Sequence, residues 1–272
     1  RQCETNQIGW LAWSWGPGNG DCSMMDMTCT GMFADLGAGG GCGDNSWGRP
    51  VHDKYTLPPG ELEELIASML NKKYNWKIDR KWLVWLPGLV TGINVACRAV
   101  GAPGDGVLVQ PPVYYPFFSA ITHNGCKVIE NQLVLGDNGY SMNFAGLENS
   151  FQPTYSGLRP EPSRARMLLL CSPHNPVGRV WREDELAQAA RIVIDHNGII
   201  VSDEIHAELL LGGHRHTPTA TLGEEVAAHT ITCFAPTKTF NLAGLKASKL
   251  IIPNPRLSLE QGAIKPWGGR DE

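Results

Sequence analysis

Apolar positions along this chain recur in two alternating rhythms from about residue 61 onward. Leu62, Leu65, Ile66, Met69 and Leu70 fall at helical spacing on one face, just after the turn signal Pro58-Pro59-Gly60, and predict an amphipathic helix. A short apolar run from Leu83 to Leu86 predicts a strand, and a helix opens after Gly88. Further strands are expected at Val107 to Val109, Lys127 to Glu130, Met167 to Cys171, Gly198 to Ser202, Thr230 to Phe234 and Ser248 to Ile252, with a helix from Glu183 to about Asp195. Continuous apolar strands that alternate with amphipathic helices are what a parallel sheet covered on both faces requires. The expected fold class is therefore α/β, a mainly parallel sheet sandwiched by helices. In such sheets ligands bind beyond the carboxyl ends of the strands. Asn175, Asp203 and Lys238 each lie at one of those ends.

The rhythm is absent from the first 50 residues, which hold 11 of the 31 glycines and four of the nine tryptophans. The expected organisation is a glycine- and tryptophan-rich segment at 1–50, one large domain at 51–254, and an unrelated tail at 255–272. The dense run Gly37 to Gly43 has no strand before it and no amphipathic helix directly after it, so it reads as a linker rather than a phosphate loop. Eight cysteines form no CxxC pair. Cys97, Cys126, Cys171 and Cys233 sit in apolar patterns and read as buried, reduced thiols. The spacing of Cys3, Cys22, Cys29 and Cys42 does not fit a compact tetrahedral zinc site, and no metal is expected. A net charge of −4 with 23 scattered basic residues gives no electrostatic reason to expect nucleic acid or an anionic membrane as partner. No apolar stretch approaches the roughly 18 residues that span a bilayer. A small-molecule substrate is the expectation that remains.

Three segments carry the chemistry: Cys171-Ser172-Pro173-His174-Asn175-Pro176-Val177-Gly178, then Ser202-Asp203-Glu204-Ile205-His206, then Ala235-Pro236-Thr237-Lys238-Thr239-Phe240-Asn241-Leu242-Ala243-Gly244-Leu245-Lys246. In this order they resemble the signature segments of fold-type I pyridoxal-phosphate enzymes of the class I/II aminotransferase superfamily, in particular its cystathionine β-lyase-like branch. The resemblance runs from about Tyr55 to Pro253. It implies the large domain of that fold, pyridoxal 5'-phosphate as cofactor, an amino-acid substrate, a homodimer and a cytoplasmic location.

The resemblance also implies roles, and each fits a physical requirement. A cofactor aldehyde must be held by an amine, and Lys238 corresponds to the lysine that carries it as a Schiff base. A buried carboxylate keeps a pyridine nitrogen protonated by charge pairing; Asp203, after the apolar run Ile199 to Ser202, matches that residue, with a helix N-cap or loop aspartate as the lesser alternative. Asn175 corresponds to the asparagine that bonds the ring oxygen, while Asn-Pro alone is a common turn. His206 falls where many relatives carry a tyrosine near the same oxygen, and a packed histidine is an equal reading. A phosphate needs backbone amides at a helix N-terminus with hydroxyls and cations; Gly88, Leu89 and Val90 resemble the cradling turn, and Thr237 and Lys246 its hydroxyl and cation. Tyr114 resembles the aromatic residue that stacks on the ring, and Tyr55 the residue that reaches a partner subunit's phosphate. His214 and His216 sit in a polar loop without a third ligand and receive no role.

The activity implied is β-elimination from a sulfur amino acid, giving pyruvate, ammonia and a thiol. Aminotransfer uses the same residues and stays open. A third expectation is a chain that binds the cofactor with little activity, because members of the family run on past Pro253 into a smaller carboxyl-terminal domain whose arginine grips the substrate carboxylate, and no such arginine is found between Val51 and Glu272. At the other end, Ile8 to Trp15 and Met25 to Thr28 resemble the last barrel strand of endo-mannanases, in which Trp13 or Trp15 would stack on sugar. The paired carboxylates of glycoside cleavage do not accompany them. A fused reading frame accounts for both ends.

Overall fold

A computed structural model describes residues 60–152, 155–156, 159–160 and 165–257. The stretch at 1–50, Tyr55, and the tail from 258 lie outside the described residues. In chain order the elements are α1 (Glu61–Tyr74), β1 (Leu83–Pro87), α2 (Leu89–Val100), β2 (Gly106–Val109), α3 (Pro116–His123), β3 (Lys127–Glu130), β4 (Val134–Gly136), β5 (Gly139–Ser141), α4 (Phe144–Phe151), β6 (Tyr155–Ser156), β7 (Arg159–Pro160), β8 (Ala165–Cys171), α5 (Glu183–Asp195), β9 (Ile199–Asp203), α6 (Glu224–Ala228), β10 (Thr230–Phe234) and β11 (Ala247–Ile251).

Seven strands form one sheet in the order β1-β11-β10-β9-β8-β2-β3. Strands β10, β9, β8, β2 and β3 are parallel, while β11 runs antiparallel to both β10 and β1. The apolar runs are continuous because both faces are covered. Along β8, Met167, Leu169 and Cys171 enter one core with residues of α2 and α3, and Leu168 and Leu170 enter a second core with residues of α4 and α5. Along β9, Ile199 and Val201 join the first core and Ile200 the second. A single polar substitution in these runs would meet a core whichever way it pointed.

The expected α/β layering is what forms, with differences that have local causes. Strand β8 begins at Ala165 rather than Met167, because Ala165 is fully buried and continues the ladder although it adds little to the apolar run. The expected first helix forms, but Leu62 and Leu65 are exposed while Ile66 and Leu70 are buried, so the apolar stripe is narrower than its sequence periodicity. The four thiols Cys97, Cys126, Cys171 and Cys233 are free and buried. No helix among the described residues is long and apolar enough to cross a membrane.

Helix α5 shows how sequence sets the connections at the site's end of the sheet. Its first turn is acidic, with Glu183, Asp184 and Glu185, which complements the helix dipole. Glu185 accepts from the Arg182 backbone amide at 2.8 Å and from Arg179 Nη2 at 2.6 and 2.8 Å. One buried carboxylate thus caps the helix and ties it to the loop that follows β8.

Burial leaves one cation inside the antiparallel edge of the sheet. Lys249 stands in register opposite Trp85 of β1 and Phe234 of β10 and is 4% exposed. Its ammonium lies 5.7 Å from the Trp85 ring centre and 5.1 Å from that of Phe234. Aromatic faces offset part of the desolvation cost, yet burial still pulls the Lys249 pKa down from 10.5 to about 8. Between those values the unfolded chain binds the proton and the folded one does not, so stability should rise as pH climbs through that window. Lys249→Met, which keeps an unbranched apolar stem, should raise stability at pH 7 by roughly 1–3 kcal/mol. Chemical denaturation of both proteins at pH 7 and above pH 10 checks this, and the advantage of the variant should shrink at the higher pH.

Candidate active site

Three neighbouring parallel strands end in one row. Cys171 of β8 and Cys233 of β10 both stand opposite Asp203 of β9. The ladder runs one step further, with Ser172 N donating to Asp203 O and Glu204 N to Cys233 O, each at 2.9 Å. The turns bearing Asn175, His206, Thr237 and Lys238 leave from this row. The sheet therefore brings residues far apart in sequence to one edge by register alone.

Asp203 is the electrostatic centre of that edge. It is 4% exposed, and Ile205 N donates to its Oδ1 at 3.2 Å. Burial drives its carboxyl pKa up to about 7; the Ile205 amide and the charge of Lys238 pull it back, and neighbouring Glu204 pushes it further up. Tyr114 is half-buried, and its phenol pKa is raised by burial first and by the Asp203 charge second. His206 is half-buried too, with its pKa lowered by burial and then by Lys238. Asp203 thus lies within electrostatic reach of Tyr114 and Lys238, and Lys238 within reach of His206. Lys238 itself is exposed, on a turn closed by Phe240 N to Pro236 O at 3.0 Å and Leu242 N to Thr237 O at 2.7 Å. Thr237 is buried beside it.

A second group of the expected residues gathers at the start of α2. Gly88 adopts φ 106°, a conformation that a side chain would strain, and a Cβ there would stand 3.8 Å from Lys246 Cβ. Lys246, itself left-handed at φ 51° and exposed, is therefore a neighbour of the turn. The Gly88 amide donates to Leu86 O and Ser248 Oγ, both at 2.9 Å, and Ser248 Oγ donates to Leu86 O at 2.8 Å. The amides of Leu89 and Val90 open the helix without backbone partners among the described residues. With Lys246 they form an end suited to an anion.

Asn175 is held through its neighbours. Its backbone amide donates to Cys171 Sγ at 3.3 Å, and Trp181 Nε1 donates to Cys171 O at 2.9 Å. His174, 1% exposed, donates from Nε2 to Pro112 O at 3.0 Å and packs edge-on to Trp181. Burial lowers the His174 pKa to about 4, against the opposing pull of backbone carbonyls. A neutral histidine thus ties the loop of Tyr114 to the loop of Asn175.

Sequence reasoning missed His174, Ser248 and His216. It placed His216 in a polar loop without a role, and the structure corrects this: His216 is 6% exposed, with Nε2 2.8 Å from Glu204 Oε2. The available signal was Glu204, a second acid at the end of an apolar strand, which needs a buried donor. His214 is exposed. Tyr55 lies outside the described residues.

Comparison with known proteins adds to this geometry. The family model described as Aminotransferase class I and II matches residues 54–258. Cystathionine beta-lyase PatB of Bacillus subtilis (strain 168) is 38% identical over 200 residues, which cover 74% of this chain and 49% of that protein. Aspartate aminotransferase of Sulfolobus acidocaldarius is 32% identical over 155 residues, covering 56% and 36%. The crystal structure of cystalysin from Treponema denticola, which contains a pyridoxal 5'-phosphate cofactor, superposes with a TM-score of 0.68 at 39% identity, covering 75% of this chain and 49% of that one. The chain spans about half the length of the cystathionine beta-lyase relatives it matches.

The buried acid carries a pH signature. Because its folded pKa is raised from 3.8 to about 7, the folded chain keeps a proton between those values that the unfolded chain has lost, so stability should fall as pH rises through that window. With no small molecule bound, Asp203→Asn should stabilise the protein by roughly 1–3 kcal/mol at pH 7.5 and by little at pH 4. Thermal denaturation of both proteins at the two pH values reads the difference, and an equal gap at both would mean the carboxyl is not the titrating group.

Proposed function

Because the chain belongs to the class I and II aminotransferase family, we propose that it is a pyridoxal-phosphate-dependent carbon–sulfur lyase acting on an amino acid with a sulfur leaving group on its β-carbon. The observation that carries this reading is the single edge where Asn175, Asp203 and Lys238 leave three adjacent strands. Similarity to PatB and cystalysin, at 38% and 39% identity, supports the lyase branch. Cystathionine is the first substrate to try.

The residues present fit the cofactor. A buried carboxyl that titrates near neutrality, with one backbone donor among the described residues, suits a cationic ring nitrogen. The amides of Leu89 and Val90, with Lys246 beside the Gly88 turn, suit a phosphate, and Thr237 adds a hydroxyl. Tyr114 supplies an aromatic face, and Asn175 and His206 supply polar groups for the ring oxygen. When bound, pyridoxal phosphate provides an electron sink for the substrate's α-carbon. Lys238 Nζ would hold the cofactor and would serve as the base for the substrate's α-proton. Asp203 would favour the protonated ring nitrogen. Substrate and one water then become pyruvate, ammonia and a thiol. In this reading the protein works as a cytoplasmic homodimer, and Tyr55 reaches the partner's phosphate.

Aminotransfer is the second reading, favoured by the similarity to the Sulfolobus aspartate aminotransferase at 32% identity. Pyruvate released from cystathionine with no keto acid added supports the lyase, and product that forms only when a keto acid is supplied sinks it. Borohydride should fix pyridoxal phosphate on Lys238 in the wild-type protein, and Lys238→Ala should lose the fixed cofactor and keep its thermal unfolding. Label on another lysine would overturn the assignment. Asp203→Asn should slow turnover by at least about 100-fold while the protein stays folded, as measured by steady-state pyruvate release beside circular dichroism.

A further inference from the structure

Beside the row of strand ends lies a buried polar cluster that the proposed reaction does not use. Glu204 follows Asp203 directly and is 1% exposed. Its Oε1 accepts from Ser202 Oγ and from Thr219 N, each at 2.9 Å, and its Oε2 accepts from His216 Nε2 at 2.8 Å. The hydroxyls of Ser202 and Thr219 are 3.0 Å apart. The His216 ring meets Tyr74 edge-on, with centroids 5.8 Å apart, and the Tyr74 hydroxyl bonds Glu208, which also pairs with Lys73. One carboxylate therefore gathers the end of β9 and the loop that returns through Thr219, and the C-terminal turn of α1 closes over His216.

Removing His216 would leave Oε2 buried without a donor, a state that a carboxylate avoids by turning toward water. With Oε1 still held by Ser202 and Thr219, a turn of Oε2 toward water pulls on the Glu204 backbone. The peptides on either side of it belong to Asp203 and Ile205, and the Ile205 amide is the described donor to the Asp203 carboxyl. An apolar pair would hold the fold here as well as a buried polar one. Five hydrogen-bonding groups placed beside the single acid on which the site depends call for another reason.

We infer that His216 is a positioning residue for Asp203: by holding Glu204 it fixes the peptides that flank Glu204, and with them the orientation of the Asp203 carboxyl at the strand end. Its consequence for cofactor binding rests on the reading of Asp203 as the ring-nitrogen partner. Its consequence for Asp203 itself does not.

Two volume-matched variants separate positioning from packing. His216→Gln keeps a donor for Glu204, and His216→Leu keeps only bulk. Hydrogen exchange on the cofactor-free protein should show the Ile205 amide at least about tenfold faster in His216→Leu, and near the wild-type rate in His216→Gln. Pyridoxal-phosphate affinity, read by absorbance titration of the same proteins, should fall at least about tenfold in His216→Leu and be restored in His216→Gln. In an Asp203→Asn background the leucine change should cost nothing further. Should His216→Leu not fold, Ser202→Ala removes one donor to the same carboxylate and should move the Ile205 amide in the same direction. Unchanged Ile205 exchange in the folded variants, or an affinity loss as large in the Asp203→Asn background, would overturn the inference. Faster exchange together with wild-type affinity in Asp203→Asn would uphold the positioning and reject Asp203 as the ring partner.

Discussion

Parallel strands buried on both faces leave little room for a polar side chain until the strand ends. The chain obeys this along β8 and in most of β9, where every residue from Met167 to Cys171 and from Ile199 to Val201 faces one of the two cores. The register then brings Cys171, Asp203 and Cys233 level, so that Asp203 and the turns carrying Asn175 and Lys238 fall along one edge. Everything at the candidate site depends on that edge. A slip of one residue in β9 would either draw Asp203 into the sheet and put Glu204 in its place, or push Asp203 past the edge and put Ser202 there.

What the sequence made legible follows from the same constraint. Long apolar runs can be read as strands because they must be apolar on both sides, and the turns after them stand out as the places where polarity returns. Direction could not be read this way: β11 is nearly as buried as β10 but runs antiparallel to it. Helices α3 and α4, of eight residues each, went unassigned because they are too short to establish a period against turn-rich surroundings. The hairpin of β4 and β5 lies among exposed residues with no alternation to mark it.

At the site, the described candidates lie at or beside strand ends, while the supporting residues His174, His216 and Ser248, inside a motif or distant from it, received no role. Asp203 and Lys238 announce themselves by following apolar strands. His216 sits beyond the surface turn Gly212-Gly213, where composition reads as loop, and only folding returns it to Glu204. Ser248 lies inside a strand, where a small polar residue is easily passed over, yet it is the side chain that takes the Gly88 amide. Supporting residues of this kind become visible through the partner that would otherwise be left unsatisfied.

An open sheet must also end somewhere, and its last strands carry unpaired backbone that another chain can adopt. Among the described residues the parallel rim is β3, four residues long, with Lys127 and Glu130 exposed at its two ends. The opposite rim, β1, closes on Pro87, which has no amide hydrogen to offer. Short length, charge at the tips and a missing donor are the devices that stop one sheet from adding strands to another. Protection of the native state against edge-to-edge aggregation is thus written into the two rims, independently of whatever chemistry occupies the centre.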